Sequence, residues 1–247
     1  MHIVQWHTFA LHTSQTKTLV HFFPSAGSMT APYPAQCKLI AFGQALGVKS
    51  VTLDGGRVSQ PDGICVDDVF PALQDEKSTA IGLTIEISTM QPRLDIAPSD
   101  CVIEFVTEGF STRFHPYRPG FHPSGSGESG PGTVPIGVMI KDKYTTTSIC
   151  AMNPSESEAQ LHLALLKRNL SGIAEESRLD LSPLPPASIR EIPIPESHFH
   201  GAFEVSQPYG VQQYLPLIRQ GMQDQQVVVY SVYRDASTGC PVSVCAL

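Results

Sequence analysis

The sequence predicts an all-β protein made of two similar sandwich-like domains in tandem. Charged residues make up only 16% of the 247 residues, whereas the chain contains 21 prolines and 19 glycines. Apolar residues alternate with polar ones in short runs that end at Gly, Pro, Asp or Asn, which is typical of strands. Long surface helices would need more Glu, Lys and Arg on their solvent-exposed sides. Similar segments also recur in the same order in the two halves.

The first half contains six predicted strands. The fifth shows the clearest alternation, because Ile81, Leu83, Ile85 and Ile87 would all point to one face of a sheet. The strand at 50–53 runs into a turn at Asp54, and the other runs end in the same way at turn-forming residues. The six predicted strands are 18–23, 36–42, 50–53, 64–70, 80–88 and 101–106.

A stretch rich in Pro, Gly and Ser separates the two halves. Residues 110–132 read FSTRFHPYRPGFHPSGSGESGPG and carry no apolar periodicity. We interpret this stretch as a linker or loop, because such residues favour turns and flexible connections. The predicted domains are therefore an N-terminal sandwich over 1–109 and a C-terminal sandwich over 133–247.

The second half repeats the strand pattern. One segment, 211–222, looks helical but is interrupted by Pro216. Strands at short, regular spacing favour a sandwich or barrel over alternating strands and helices. The predicted strands are 134–140, 146–152, 159–166, 178–181, 188–194, 202–205 and 226–233.

Five pairs of similar segments favour an internal duplication. Each pair is a weak match alone, but all five keep their order along the chain, and the alternative is one larger sandwich with monotonous strands. A repeat of more than 100 residues would give two domains and not a solenoid. The pairs are 18–25 with 148–155, 35–47 with 159–170, 53–54 with 179–180, 85–88 with 203–206, and 102–106 with 228–232.

The second half resembles bacterial immunoglobulin-like sandwiches, nearest to the sensory rhodopsin transducer family. The likeness covers about residues 146–235: a strand that ends at Asn153-Pro154, an alternating strand, a proline-bounded pair of strands, and a Val-rich strand that ends at Tyr233-Arg234-Asp235. The resemblance implies two immunoglobulin-like β-sandwich domains in an oligomeric, non-enzymatic protein that binds a partner or a small ligand. It rests on apolar spacing and carries no catalytic motif.

A pair of histidines is the candidate metal site. His198, His200 and Glu204 would lie on one face of a regular strand, and two imidazoles with a carboxylate suit a divalent transition metal. Their spacing resembles the first metal motif of cupins, but the glycine expected before it is missing and the second cupin motif is absent. A fourth ligand would have to come from elsewhere, for example His162 or Glu191. The alternative is a polar strand end with two hydrogen-bonded histidines, and we expect no cofactor unless this pair binds metal.

The predicted linker contains a second candidate site. Arginines and aromatic residues on a loop can hold an anion, a carbohydrate or a peptide, although the same segment could be a simple flexible connection. The residues concerned are Arg113, His115, Tyr117, Arg118 and His122.

Charge and hydropathy bear on partners and location. The net charge of −7 and the pI of about 5.7 argue against nucleic acid binding, which calls for a basic surface. No run approaches the roughly 20 apolar residues of a membrane span, and the first residues do not form a secretory signal. We therefore expect a cytoplasmic protein without membrane insertion. Its six cysteines should be reduced, with Cys240 and Cys245 the likeliest exceptions.

The sequence favours a non-enzymatic binding or assembly protein with an unknown ligand. Sandwich domains present open sheet edges, which are commonly covered by a protein partner or by self-association into a homo-oligomer. Two alternatives remain: a receptor for a small molecule, either a carbohydrate or an anion, that uses the Arg/aromatic segment, and a cupin-like metal-dependent enzyme.

Overall fold

The computed structural model describes most of the chain. The described residues are 2–11, 13, 15–23, 35–44, 46–55, 61–71, 73, 80–89, 100–118, 133–135, 144–159, 161–168, 174–180, 182–193, 214–220 and 227–246.

Residues 1–123, with 187–189, form the first of two compact units. Its described residues form eight strands and one short helix: β1 (His2–Leu11), β2 (Thr16–Phe22), β3 (Ala35–Gly43), β4 (Gly47–Leu53), β5 (Ile64–Cys65), α1 (Val66–Val69), β6 (Ala80–Thr89), β7 (Cys101–Thr107) and β8 (Phe110–Phe114).

The second unit comprises residues 124–186 and 190–247. The strands that follow β8 in the chain are β9 (Thr133–Pro135), β10 (Thr145–Asn153), β11 (Leu161–Arg168), β12 (Ala174–Asp180), β13 (Ser188–Pro193), β14 (Tyr214–Gln220), β15 (Val228–Asp235) and β16 (Pro241–Ala246). The prediction of an all-β protein is therefore confirmed.

The strand order of the first eight strands is repeated by the second eight. The first set forms the sheets β1-β6-β3-β4 and β5-β2-β7-β8, and the second forms β9-β14-β11-β12 and β13-β10-β15-β16. Each strand of the first set thus has a counterpart eight positions later. In an immunoglobulin constant domain the first two strands are neighbours in one sheet, whereas β1 and β2 lie in different sheets.

Aromatic side chains join the two sheets of the first unit. Phe9 on β1 packs against Phe105 on β7 and Phe114 on β8, with ring centroids 5.3 and 5.9 Å apart. Trp6 on β1 meets the edge of Phe22 on β2 at 6.2 Å. Burial of Trp6, Phe9 and Phe105 removes large apolar surfaces from water, which is the main stabilising contribution of such a core.

Four of the five matched segment pairs fall on or beside strands with equivalent places in the sheets. They connect β2 with β10, β3 with β11, β4 with β12, and β7 with β15. The fifth pair does not fit, because the strand order makes β14 the counterpart of β6. Residues 203–206, which that match proposed, lie outside the described residues.

Three local predictions need correction. The predicted linker begins with a strand, since 110–114 form β8. The predicted strand 64–70 is a two-residue strand followed by α1, whose first turn carries Asp67 and Asp68. Acidic residues in the first turn stabilise a helix N-terminus.

The helix-like segment 211–222 contains a strand. Residues 214–220 form β14, which pairs along its whole length with β11. Pro216 disfavours a helix interior but is tolerated here, because the second neighbour, β9, pairs only with residues 217–219.

Candidate functional site

A buried carboxylate organises the outward face of the sheet β5-β2-β7-β8. Glu104 on β7 is only 5% exposed. One of its oxygens accepts a hydrogen bond from His21 Nε2 at 2.8 Å, and the other accepts one from Arg113 Nε at 3.0 Å. The Ser111 hydroxyl also donates to this carboxylate. We call Glu104, His21, Arg113 and Ser111 the Glu104 cluster.

Strand alternation and register bring this cluster together. Ile103 and Phe105 are fully buried, so Glu104 between them must point to the opposite face of β7. Arg113 is the cross-strand partner of Glu104 on β8. On β2 the partner is Leu19, and His21 lies two residues further along on the same face.

The hydrogen bonds keep Glu104 ionised. Burial by itself raises the pKa of this carboxyl group, but the bonds from Ser111, Arg113 and His21 outweigh it, so the pKa lies below the usual value. A buried charge is tolerable only when it is paired and hydrogen-bonded. The cluster therefore holds a fixed negative charge between two basic side chains.

The imidazole of His21 is held in a single orientation. Its ring stacks on Phe23, with centroids 5.8 Å apart and an interplanar angle of 11°. On the side of Gly63 there is no room for a side chain, since an added Cβ would lie 2.7 Å from the ring. Gly63 also has φ +75°, a conformation that favours glycine.

Arg113 is both anchored and accessible. Its side chain is 62% exposed, while its Nε is bound to the buried Glu104. Within the described part of the chain, its two terminal nitrogens have no hydrogen-bond partner. A guanidinium held through Nε presents its terminal NH₂ groups in a fixed orientation, which suits binding of a carboxylate or phosphate.

The other predicted ligand residues make separate contacts. His115 Nδ1 donates to the Cys101 carbonyl at 3.1 Å. Tyr117 forms a backbone bridge with His7 through bonds of 2.7 and 3.0 Å. The Arg118 guanidinium lies 5.7 Å from the centre of the Trp6 ring, a cation–π contact. His122 lies outside the described residues. Of the four predicted residues that are described, Arg113 alone belongs to the Glu104 cluster.

The predicted metal ligands His198, His200 and Glu204 lie outside the described residues. Among the residues that are described, no group of three or more His, Cys, Asp or Glu side chains is arranged to hold a metal. Glu191, considered above as a fourth ligand, accepts hydrogen bonds from Ser148 Oγ at 2.5 Å and from Arg234 at 3.0 and 3.1 Å.

Sequence reasoning did not single out His21 or Glu104. The available signal was a charged residue within the otherwise apolar run CVIEFV, because a buried strand rarely contains a carboxylate without a partner. The partners themselves lie 83 residues before and nine residues after Glu104 in the chain, so no local motif identifies them.

Comparisons with known proteins do not identify a family for this chain. No protein-family model matches the chain, and neither does any curated protein. In the described part of the structure, no helix is long and apolar enough to cross a membrane.

Proposed function

We propose that this chain is a non-enzymatic binding and assembly protein built on two β-sandwich domains that arose by duplication of one eight-stranded unit. The repeated strand order supports the duplication, and four matched segments fall in equivalent strands. Because β1 and β2 occupy different sheets, the ancestral unit differed in connectivity from an immunoglobulin constant domain. Such a scaffold acts through the edges and outer faces of its sheets.

The assembly role rests on one observation, the exposed edge strand β4. This strand ends the sheet β1-β6-β3-β4 and pairs on one side with β3 over all seven residues. None of its residues is buried, and Val48 is 60% exposed. An edge with free backbone N–H and C=O groups is a template for another strand.

Light scattering as a function of protein concentration tests this role. We expect the full-length chain to form a concentration-dependent oligomer, and Ser50→Lys to weaken it at least tenfold, because like charges of the two copies would meet at the middle of this edge. Ser243→Lys is the matched control, since Ser243 is also exposed and lies on an edge strand. A chain that is monomeric at every concentration, or that responds equally to both substitutions, contradicts the proposed assembly through β4.

A second candidate function is recognition of a small anion or carbohydrate by the Glu104 cluster. The observation that favours it is the anchored, exposed guanidinium of Arg113. The exposed ring of Phe23, stacked on His21, adds an apolar surface of the kind on which sugar rings pack. A sugar that carries a carboxylate would use both features.

Glucuronate and glucose serve as probes for this second candidate. If the proposal holds, glucuronate stabilises the protein by about 1.4 kcal/mol at ten times its Kd, whereas glucose has little effect. Arg113→Gln should abolish the stabilisation. Arg190→Gln should retain the stabilisation. Arg190 lies on β13, and its terminal nitrogens already donate to the Ser182 and Pro183 carbonyls in the preceding loop. Equal stabilisation of the Arg113→Gln variant would exclude this site.

A further inference from the structure

The eight sheet edges of the described structure differ in how they resist pairing with another chain. β5, β9 and β8 contain only two, three and five residues. The free side of β1 is occupied by the Tyr117 bridge at His7. Short strands and covering segments are common devices that block edge pairing.

The longer remaining edges carry other protective features. β13 contains Arg190 and Glu191 and ends at a proline. β16 begins at Pro241, and its ladder with β15 is interrupted between Tyr233 and Arg234. β12 has the sequence AEESRLD, in which four of seven residues are charged. Prolines, bulges and charges each disfavour a further strand.

Among the described residues, β4 has one of these features, Lys49. Its sequence GVKSVTL contains no proline, and its ladder with β3 is regular throughout. Lys49 is the strand's single charged residue. A lysine on an edge strand prevents pairing when its ammonium group would face a like charge or be buried against an apolar surface. The register of pairing therefore decides whether Lys49 blocks this edge.

We propose that β4 pairs antiparallel with β4 of a second copy of this chain, in a register centred on Ser50; this inference rests on the proposed assembly function and specifies its partner. In this register Ser50 faces Ser50 of the other copy, Val48 faces Thr52, Lys49 faces Val51, and Gly47 faces Leu53. Two four-stranded sheets then become one eight-stranded sheet.

This register is favoured over its neighbours by length and charge. Pairing centred on Ser50 uses all seven residues of both strands, whereas a centre at Lys49 or Val51 uses five. A centre at Lys49 also places two ammonium groups directly opposite each other, which is destabilising. Centred on Ser50, each lysine covers Val51 with its methylene stem while the ammonium group stays in water.

The partner is a second copy because the strand is complementary to itself. Opposing residues in the Ser50 register point to the same side of the sheet, so the exposed Val48, Ser50 and Thr52 of both copies share one face. The contacts on either side of the Ser50 pair are repeated about a two-fold axis, and this closed arrangement ends at the dimer without forming a filament.

Engineered cysteines test the partner and the register together. Directly opposed residues of an antiparallel pair have Cα atoms about 4.5 or 5.5 Å apart, within the range that a disulfide spans. Ser50→Cys should therefore cross-link two copies under mild oxidation. Thr52→Cys is the matched control, because its counterpart lies four residues away along the strand, about 13 Å distant.

Mixing two different cysteine variants provides the positive control for the register. Val48→Cys and Thr52→Cys chains should cross-link with each other when combined, and each far less when alone. We expect Ser50→Cys to give at least fivefold more disulfide dimer than Thr52→Cys, over the background of the parent chain with its native cysteines. All measurements use the full-length protein at a concentration where light scattering detects dimers.

These experiments distinguish failure of the proposed register from failure of the assembly function. If scattering shows dimers but Ser50→Cys cross-links no faster than Thr52→Cys, the Ser50 register is wrong and the copies join in another register or through another surface, although assembly itself stands. If the chain stays monomeric at every concentration, both this inference and the assembly function fail.

Discussion

His7 is a histidine that folding forces to remain neutral. It is 7% exposed, its Nδ1 shares a 2.9 Å hydrogen bond with Thr84 Oγ1, and burial lowers its pKa from 6.5 to about 4. The unfolded chain therefore binds a proton near pH 6.5 that the folded chain does not take up until about pH 4. Between these values the free energy of unfolding must fall as the pH falls.

We expect this single group to reduce the free energy of unfolding by about 3 kcal/mol between pH 7.5 and pH 4. Urea unfolding at a series of pH values measures the effect. His7→Asn keeps a hydrogen-bonding nitrogen near the Nδ1 position but cannot titrate, so it should flatten the slope between pH 6.5 and pH 4. Thr84→Val removes the hydrogen bond but keeps the imidazole, so this control should retain the slope.

Glu104 contributes to the acid sensitivity of the fold over a different pH range. Its folded pKa is depressed, so its stabilising contribution is present above the unfolded value of 4.5 and is lost as the pH falls through the folded value. Because this loss lies below pH 4.5, it does not overlap the upper part of the His7 window. A pH slope in His7→Asn that began at pH 6.5 would show that some other histidine is responsible.

At the scale of single residues, the sequence predicts which residues are buried better than it predicts which residues are in contact. It indicates that 101–106 is a buried strand, and the structure agrees. It does not indicate that Glu104 is paired with His21, since the two meet only when β2 and β7 become neighbours. Arg113 was predicted as a ligand residue because of its type, while its fixed orientation follows from Glu104 on the adjacent strand.

At the scale of the strand, Gly82 is required by the ring of Phe42. Phe42 is the cross-strand partner of Gly82, and its buried ring lies over the glycine, where an added Cβ would overlap it. An aromatic ring over a glycine in an adjacent strand fills the space that a side chain would otherwise take. The pair therefore fixes the packing between β3 and β6.

Gly82→Ala should lower the free energy of unfolding by about 1–3 kcal/mol through overpacking. Phe42→Leu alone should also destabilise by creating a cavity. The double variant should be less destabilised than the sum of the two, because the smaller Leu side chain makes room for the alanine. Denaturant titration of the four proteins provides this double-mutant cycle.

Gly43→Ala is the matched control for this cycle. An added Cβ there would meet its nearest neighbours, Leu46 and Ile81, at 3.8 and 3.9 Å, which is ordinary contact. Additive effects of Gly82→Ala and Phe42→Leu, or a loss from Gly43→Ala as large as that from Gly82→Ala, would contradict the proposed packing.

The strands whose prediction failed show what periodicity misses. In β8 the buried Thr112 and Phe114 alternate with the exposed Ser111 and Arg113, but five residues beside a Pro/Gly/Ser-rich stretch give too short a signal. In 214–220, apolar residues at mixed spacing resemble a helix, and the pairing with β11 and β9 makes them a strand. Tertiary pairing overrides local preference in such short segments.

At the scale of the whole molecule, two sets of eight strands follow one order. The sequence predicted two similar domains from matches that were individually weak, and the preserved order of those matches was more informative than any one of them. It could not predict the strand order, because antiparallel neighbours far apart in the chain are selected by the packing of complete sheets and not by local sequence.

If each unit has its own core, heating should produce two calorimetric transitions that respond to different substitutions. Gly82→Ala should lower only the transition of the first unit, by about 4 °C per kcal/mol for a unit of this size. Glu191→Gln weakens the bidentate contact with Arg234 and the bond from Ser148, and should lower only the other transition. The assignment needs both variants, because either one alone could shift a single shared transition. Should both substitutions move the same transition, the two units unfold as one cooperative body and do not fold independently.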